Sequence, residues 1–136
     1  MTLSSTDVHA ALDEMGVLDD AHAPGVYALE VTVPDAVDAV QREWLATADT
    51  PLPDRYAEQL AAADTVLYVG RSAGVYGRLM DHAAGDVRQA AFLRAFDLAG
   101  VRGVYADDEN TGVAERDRAR ALSGATTVCY TDGELF

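Results

Sequence analysis

Tyr68, Arg71, Arg78 and His82 fall within one short stretch of the chain, residues 66–82, which reads VLYVGRSAGVYGRLMDH. Phenol, guanidinium and imidazole groups are the side chains that orient a phosphate and offset the charge that grows on it during hydrolysis. Their spacing can bring them together. In a helix beginning near Gly74, Arg78 and His82 lie four residues apart along one edge, beside an apolar face of Val75, Leu79 and Ala83. Tyr68 would stand at the end of a preceding strand, and Arg71 in the turn between. Such groups can converge near a helix N-terminus, which itself favours an anion. Taken alone, an ordinary strand–turn–helix with solvated arginines accounts for the same segment.

The glycines of this stretch do not cradle a phosphate. Gly70, Gly74 and Gly77 are spaced G-x-x-x-G-x-x-G, which matches neither the dinucleotide fingerprint nor a P-loop. A P-loop also needs a lysine, and the chain has none. The glycines are expected to shape a turn at residues 70–73.

A carboxylate elsewhere draws attention by its surroundings. On a helix over residues 111–122, Ala119 and Leu122 flank Glu115 on the apolar side, while Arg116, Asp117 and Arg120 face away. A carboxylate among apolar neighbours is costly unless it is paired or binds a cation. Arg118, three residues on, is one candidate partner. A divalent cation is the other. Glu109, in the loop-like DDEN, is a weaker candidate ligand.

The elements that must position these groups can be read from periodicity. Residues 4–15 read as a short helix with Ser/Thr caps and a terminating Gly16. Residues 25–33 alternate as a strand with Tyr27, Leu29, Val31 and Val33 on one face. Two helices fill residues 34–64, joined by the proline-containing TADTPLPD, and residues 65–69 form a second strand. Helices follow at 74–84 and 86–96, the latter with Val87, Ala91, Leu93 and Phe96 inward. A third strand at 101–106, the helix at 111–122 and a candidate last strand at 126–130 complete the chain. Strands and helices mix without a regular βαβ rhythm, so the expected class is α+β: a small central antiparallel sheet of three strands, with an extra C-terminal strand, flanked by helices.

Composition bounds the setting. The 136 residues suit a single domain with a real core. Nothing approaches a membrane span, and the N-terminus lacks a signal-peptide layout, so a cytoplasmic protein is expected. Cys129 is the lone cysteine, which suits a reducing compartment. The net charge is −13, and all 10 basic residues are arginine. An acidic, lysine-free chain of this kind fits a protein dissolved in concentrated salt, where carboxylates keep the surface hydrated. Residues 1–70 hold most of the excess acid against only Arg42 and Arg55. Residues 71–120 balance arginines with acids and are the segment that does not repel anions.

Taken together, these motifs resemble the GIY-YIG nuclease signature. GVY at residues 25–27 resembles its first half and YVG at 68–70 its second. In the family the two tyrosines, here Tyr27 and Tyr68, lie on adjacent strands. A basic residue commonly follows the second glycine (Arg71), an arginine stands ten residues after the second tyrosine (Arg78), and a His or Tyr lies one turn further (His82). A glutamate on a later helix, here Glu115, binds the metal. The resemblance spans residues 25 to about 122 and implies a Mg²⁺- or Mn²⁺-dependent endonuclease acting on nucleic acid, DNA rather than RNA. Glu115 would hold the cation, Arg78 and Arg71 would offset phosphate charge, Tyr27 would orient or deprotonate water, and Tyr68 and His82 would position these groups. It also implies one domain over residues 1–136, with an N-terminal helix and loop at 1–24 and an acidic helical insertion at 34–64. That insertion, about thirty residues long, far exceeds a hairpin loop. Many members carry an asparagine soon after the glutamate helix, and here none follows Asn110. A catalytically silent binding module on the same scaffold is the alternative reading, with the acidic insertion as its contact surface.

Overall fold

The computed structural model describes residues 3–85, 91–107 and 112–136. Val87 and Glu109, named above as an inward position and a candidate ligand, lie outside the described residues. The class is α+β, and the sheet is larger than the sequence implies. Five strands run in the order β3-β1-β2-β4-β5, formed by β1 (Gly25–Thr32), β2 (Thr65–Ser72), β3 (Asp97–Ala106), β4 (Thr127–Thr131) and β5 (Glu134–Leu135). β1 pairs antiparallel with both β2 and β3, which is the expected trio. β4 then joins β2 in parallel and β5 turns back on β4, so the whole sheet is mixed.

Helices cover both faces unequally. On one face, Tyr27, Leu29, Val31 and Val66 pack under α1 (Ser5–Glu14), α2 (Leu18–Ala21), α3 (Val37–Leu45), α4 (Asp54–Ala62), α5 (Val75–Ala84) and α6 (Ala91–Ala95). On the other, Val26, Ala28, Leu67, Val69 and Cys129 pack against Ala119 of α7 (Gly112–Leu122). The interior strand β1 is therefore buried on both sides, which is why its sequence, GVYALEVT, is apolar almost throughout.

Local chemistry explains the boundaries. The Asp7 N–H donates to Ser4 Oγ at 3.2 Å and the Ser4 N–H donates back to Asp7 Oδ2 at 3.1 Å, a reciprocal capping box that starts α1. Gly85, with φ +73°, ends α5 in the left-handed conformation that glycine tolerates best. The stretch between α3 and α4 is held by one amide. Gln41 Nε2 donates to the Leu52 carbonyl at 2.7 Å while its Oε1 accepts from the Leu52 N–H at 3.0 Å, and Trp44 Nε1 donates to the Thr50 carbonyl at 2.9 Å.

Aromatic contacts tie the layers together. Phe92 on α6 is fully buried, lies parallel to Tyr130 at 4.2 Å between ring centres, and meets Phe96 edge-on at 5.0 Å. Among the described residues, three arginines lie over rings: Arg118 over Tyr105 at 3.8 Å, Arg120 over Phe136 and Arg55 over Tyr56, each of the latter at 5.2 Å. Among the described residues, no helix is long and apolar enough to cross a membrane. Phe92→Ala is expected to lower unfolding stability by about 3–5 kcal/mol in urea titration. Val113→Ala, at an exposed position of α7, is expected to stay within about 0.5 kcal/mol of wild type.

Candidate functional site

The site is built around the centre of the sheet. Tyr27 on β1 stands directly opposite Gly70 on β2. Gly70 lies within the strand rather than in a turn, because β2 continues to Ser72. Its missing side chain leaves room for the Tyr27 ring, whose hydroxyl oxygen would lie 2.5 Å from any Cβ at position 70. The Tyr27 ring thus reaches across the neighbouring strand, and its hydroxyl comes to 2.8 Å from His82 Nε2. Which partner donates follows the imidazole tautomer.

α5 brings the rest of this half of the site. Its apolar face, Val75 and Leu79, is buried on the sheet, and His82 is buried with it rather than lying on the helix edge. Tyr68 meets His82 edge-on at 6.0 Å and Tyr27 at 6.4 Å. Arg78, one turn before His82, acts on the Tyr27 hydroxyl by hydrogen bond and by charge. Four of the residues singled out from sequence, Tyr27, Tyr68, Arg78 and His82, therefore meet on one face of the sheet.

Burial governs the phenols. Desolvation raises the Tyr27 pKa well above its ordinary value, with Tyr68 adding to the rise and Arg78 opposing it. Tyr68 is pushed up to about 12, again chiefly by burial, then by the Glu115 charge, with Arg78 opposing. Both hydroxyls therefore stay protonated at neutral pH. A phenol in this state can donate a hydrogen bond to a water or a phosphate oxygen.

Arg71 and Glu115 form a second group on the other face. Alternation along β2 puts Arg71 on the same side as Val69, toward α7, and not at the N-terminus of α5. Glu115, four residues before Ala119, points to the same side and is 8% exposed. Thr131 at the end of β4 is fully buried, and its Oγ1 donates to Glu115 Oε1 at 2.7 Å. Arg71 Nε lies 3.8 Å from Glu115 Oε2. Arg118, the alternative partner for Glu115, is turned onto the Tyr105 ring instead. The Glu115 charge nevertheless raises the pKa of both Tyr27 and Tyr68, so the two groups act on each other electrostatically.

Thr131 escaped sequence reading because a threonine in a short strand normally needs no explanation. The signal was its place two residues after buried Cys129, on the inward side of β4. As a cation site, the donor set is sparse: among the described residues no cluster of three or more His, Cys, Asp or Glu could hold a metal. One carboxylate oxygen fits a hard cation that keeps most of its own water, as Mg²⁺ does, and does not fit a tetrahedral Zn²⁺ cage.

Two glycines give opposite expectations. Gly70→Ala must push the Tyr27 ring aside and is expected to cost about 1–3 kcal/mol in denaturant unfolding. Gly77→Ala, on α5 with open space at its Cβ, is expected to stabilise by about 0.5–1 kcal/mol. The alkaline limb follows from the phenols. Their folded pKa values lie above the ordinary value of 10.0, so the unfolded chain loses these protons first. Stability from this source is intact below pH 10.0 and falls as pH rises through the folded value of about 12 for Tyr68. Tyr68→Phe is expected to flatten that fall in a pH series of unfolding curves.

Comparison with protein-family models, curated proteins and solved structures finds no match to this chain, so its functional reading rests on the motifs and geometry above.

Proposed function

We propose that this chain is a GIY-YIG-like domain that hydrolyses nucleic-acid phosphodiester bonds with Mg²⁺ or Mn²⁺. The observation that carries the reading is the cluster of Tyr27, Tyr68, Arg78 and His82 on adjacent strands and one helix, within electrostatic reach of the buried Glu115. In this reading β3-β1-β2 is the family's antiparallel trio, and α3 and α4 form an insertion between its first two strands.

Roles follow from position. Glu115 would hold the cation, which when bound polarises the phosphate and neutralises charge on the leaving oxygen. Arg78 offsets charge growing on the phosphate, with half-exposed Arg71 assisting from the other side of β2. Tyr27 would orient or deprotonate the attacking water, burial raising its pKa and Arg78 opposing that rise. His82 fixes that hydroxyl, and Tyr68 walls the site. DNA in a cytoplasm of high salt is the proposed setting: there screening shrinks to roughly 3 Å and the −13 charge no longer repels a polyanion.

A catalytically silent interaction module is the second reading, favoured by the near-complete burial of Tyr27, 1% exposed. The acidic face of α3 and α4 would then be the contact surface. Incubation with single- and double-stranded DNA and RNA, Mg²⁺ or Mn²⁺, from low to molar KCl, separates the two. Cleavage is expected to fall by about 100-fold or more in Arg78→Ala and to vanish in Glu115→Gln. Cleavage unchanged in both variants overturns the site, and none from wild type under any condition selects the interaction module.

A further inference from the structure

We propose that Thr131 is the positioning residue for the Glu115 carboxylate, fixing which of its oxygens meets a divalent cation. The inference rests on the reading of Glu115 as the cation ligand. Glu115 leaves α7 on the same side as Ala119, where an unrestrained side chain could turn either oxygen outward. The Thr131 hydroxyl removes that freedom. It is fully buried, donates to Oε1 at 2.7 Å, and stands on β4, a strand paired with β2 up to Tyr130. Its backbone is held further by the tight turn to β5, where Asp132 and Gly133 adopt φ of 49° and 81°.

The consequence is a division of labour between the two oxygens. Oε1 is committed inward to a hydroxyl donor, while Oε2 is the oxygen beside Arg71, whose side chain is 46% exposed. A cation that supplies most of its own shell as water needs one well-placed protein oxygen rather than several. Groups that hydrogen-bond a ligating carboxylate tune metal affinity by about 10–100-fold, and Thr131 occupies that position here. Thr131 lies on the same side of β4 as buried Cys129, so its hydroxyl is offered to Glu115 from a buried position.

Mn²⁺ titration followed by electron paramagnetic resonance, in molar KCl to suppress diffuse binding to the acidic surface, tests this on the full chain. Thr131→Val keeps the shape and removes the donor, and Thr131→Ala removes it without bulk. Both are expected to bind Mn²⁺ about 10-fold more weakly or worse, while Thr131→Ser stays near wild type. If valine at this position prevents folding, the alanine and serine pair carries the comparison. Wild-type affinity in the hydroxyl-free variants, with Glu115→Gln weakened, overturns the role of Thr131 alone. Wild-type affinity in Glu115→Gln overturns the ligand assignment together with it.

Discussion

A buried tyrosine hydroxyl must find a partner, and meeting that requirement for Tyr27 organises much of this molecule. The ring starts on β1, crosses β2 above Gly70, and ends 2.8 Å from His82 Nε2 on α5. That one contact sets where α5 can sit. A helix displaced by a turn would leave both polar groups in an apolar layer, at a cost of about 1–3 kcal/mol or more. Once α5 is placed, Arg78 necessarily arrives over the same hydroxyl, because it precedes His82 by one turn. Packing and the candidate chemistry thus share a single geometric condition.

The sheet divides the rest of the site. Phenols and imidazole lie under α5, while carboxylate and Arg71 lie under α7, and β2 contributes alternate residues to each. Burying Glu115 beside Ala119 is offset by the Thr131 hydroxyl and the Arg71 guanidinium, a donor and a cation from two neighbouring strands. A strand is an effective partition here, since consecutive residues separated by one peptide face opposite layers. Groups on both faces can therefore be held close without crowding one another.

Much of this was legible in the sequence. Alternation placed β1 and its Tyr27 face, apolar residues at helical spacing placed α5 and α7, and the anomaly of an acid among alanines marked Glu115. Gly70 misled, because glycine after a strand reads as a turn. Its real function is to be absent, giving space to a ring more than forty residues away in sequence, and no local pattern carries that. β3 was read short because Asp97, Ala99 and Gly100 are poor strand formers; Asp97 and Gly100 pair with β1 nonetheless, and Ala99 falls at one of the two register shifts. The parallel pairing of β4 with β2 depends on the crossover through α5, α6, β3 and α7, a tertiary property. Of the residues named by the resemblance to a nuclease signature, Tyr27, Tyr68, Arg78 and His82 meet on one face of the sheet and Arg71 and Glu115 on the other, while Thr131 lay outside it.

The arginines that lie over aromatic rings have one more implication. Arg118 on Tyr105, Arg120 on Phe136 and Arg55 on Tyr56 rest on flat faces, so part of their attraction is dispersion between planar groups. Dispersion is indifferent to ionic strength, whereas a surface ion pair is not. The attachment of α7 to the sheet edge at Tyr105 therefore keeps its grip as electrolyte rises, where a lysine–carboxylate clasp would loosen. Arg120 carries both kinds of fastening at once, a ring contact on Phe136 that salt leaves alone and an ion pair with Asp117 that salt weakens.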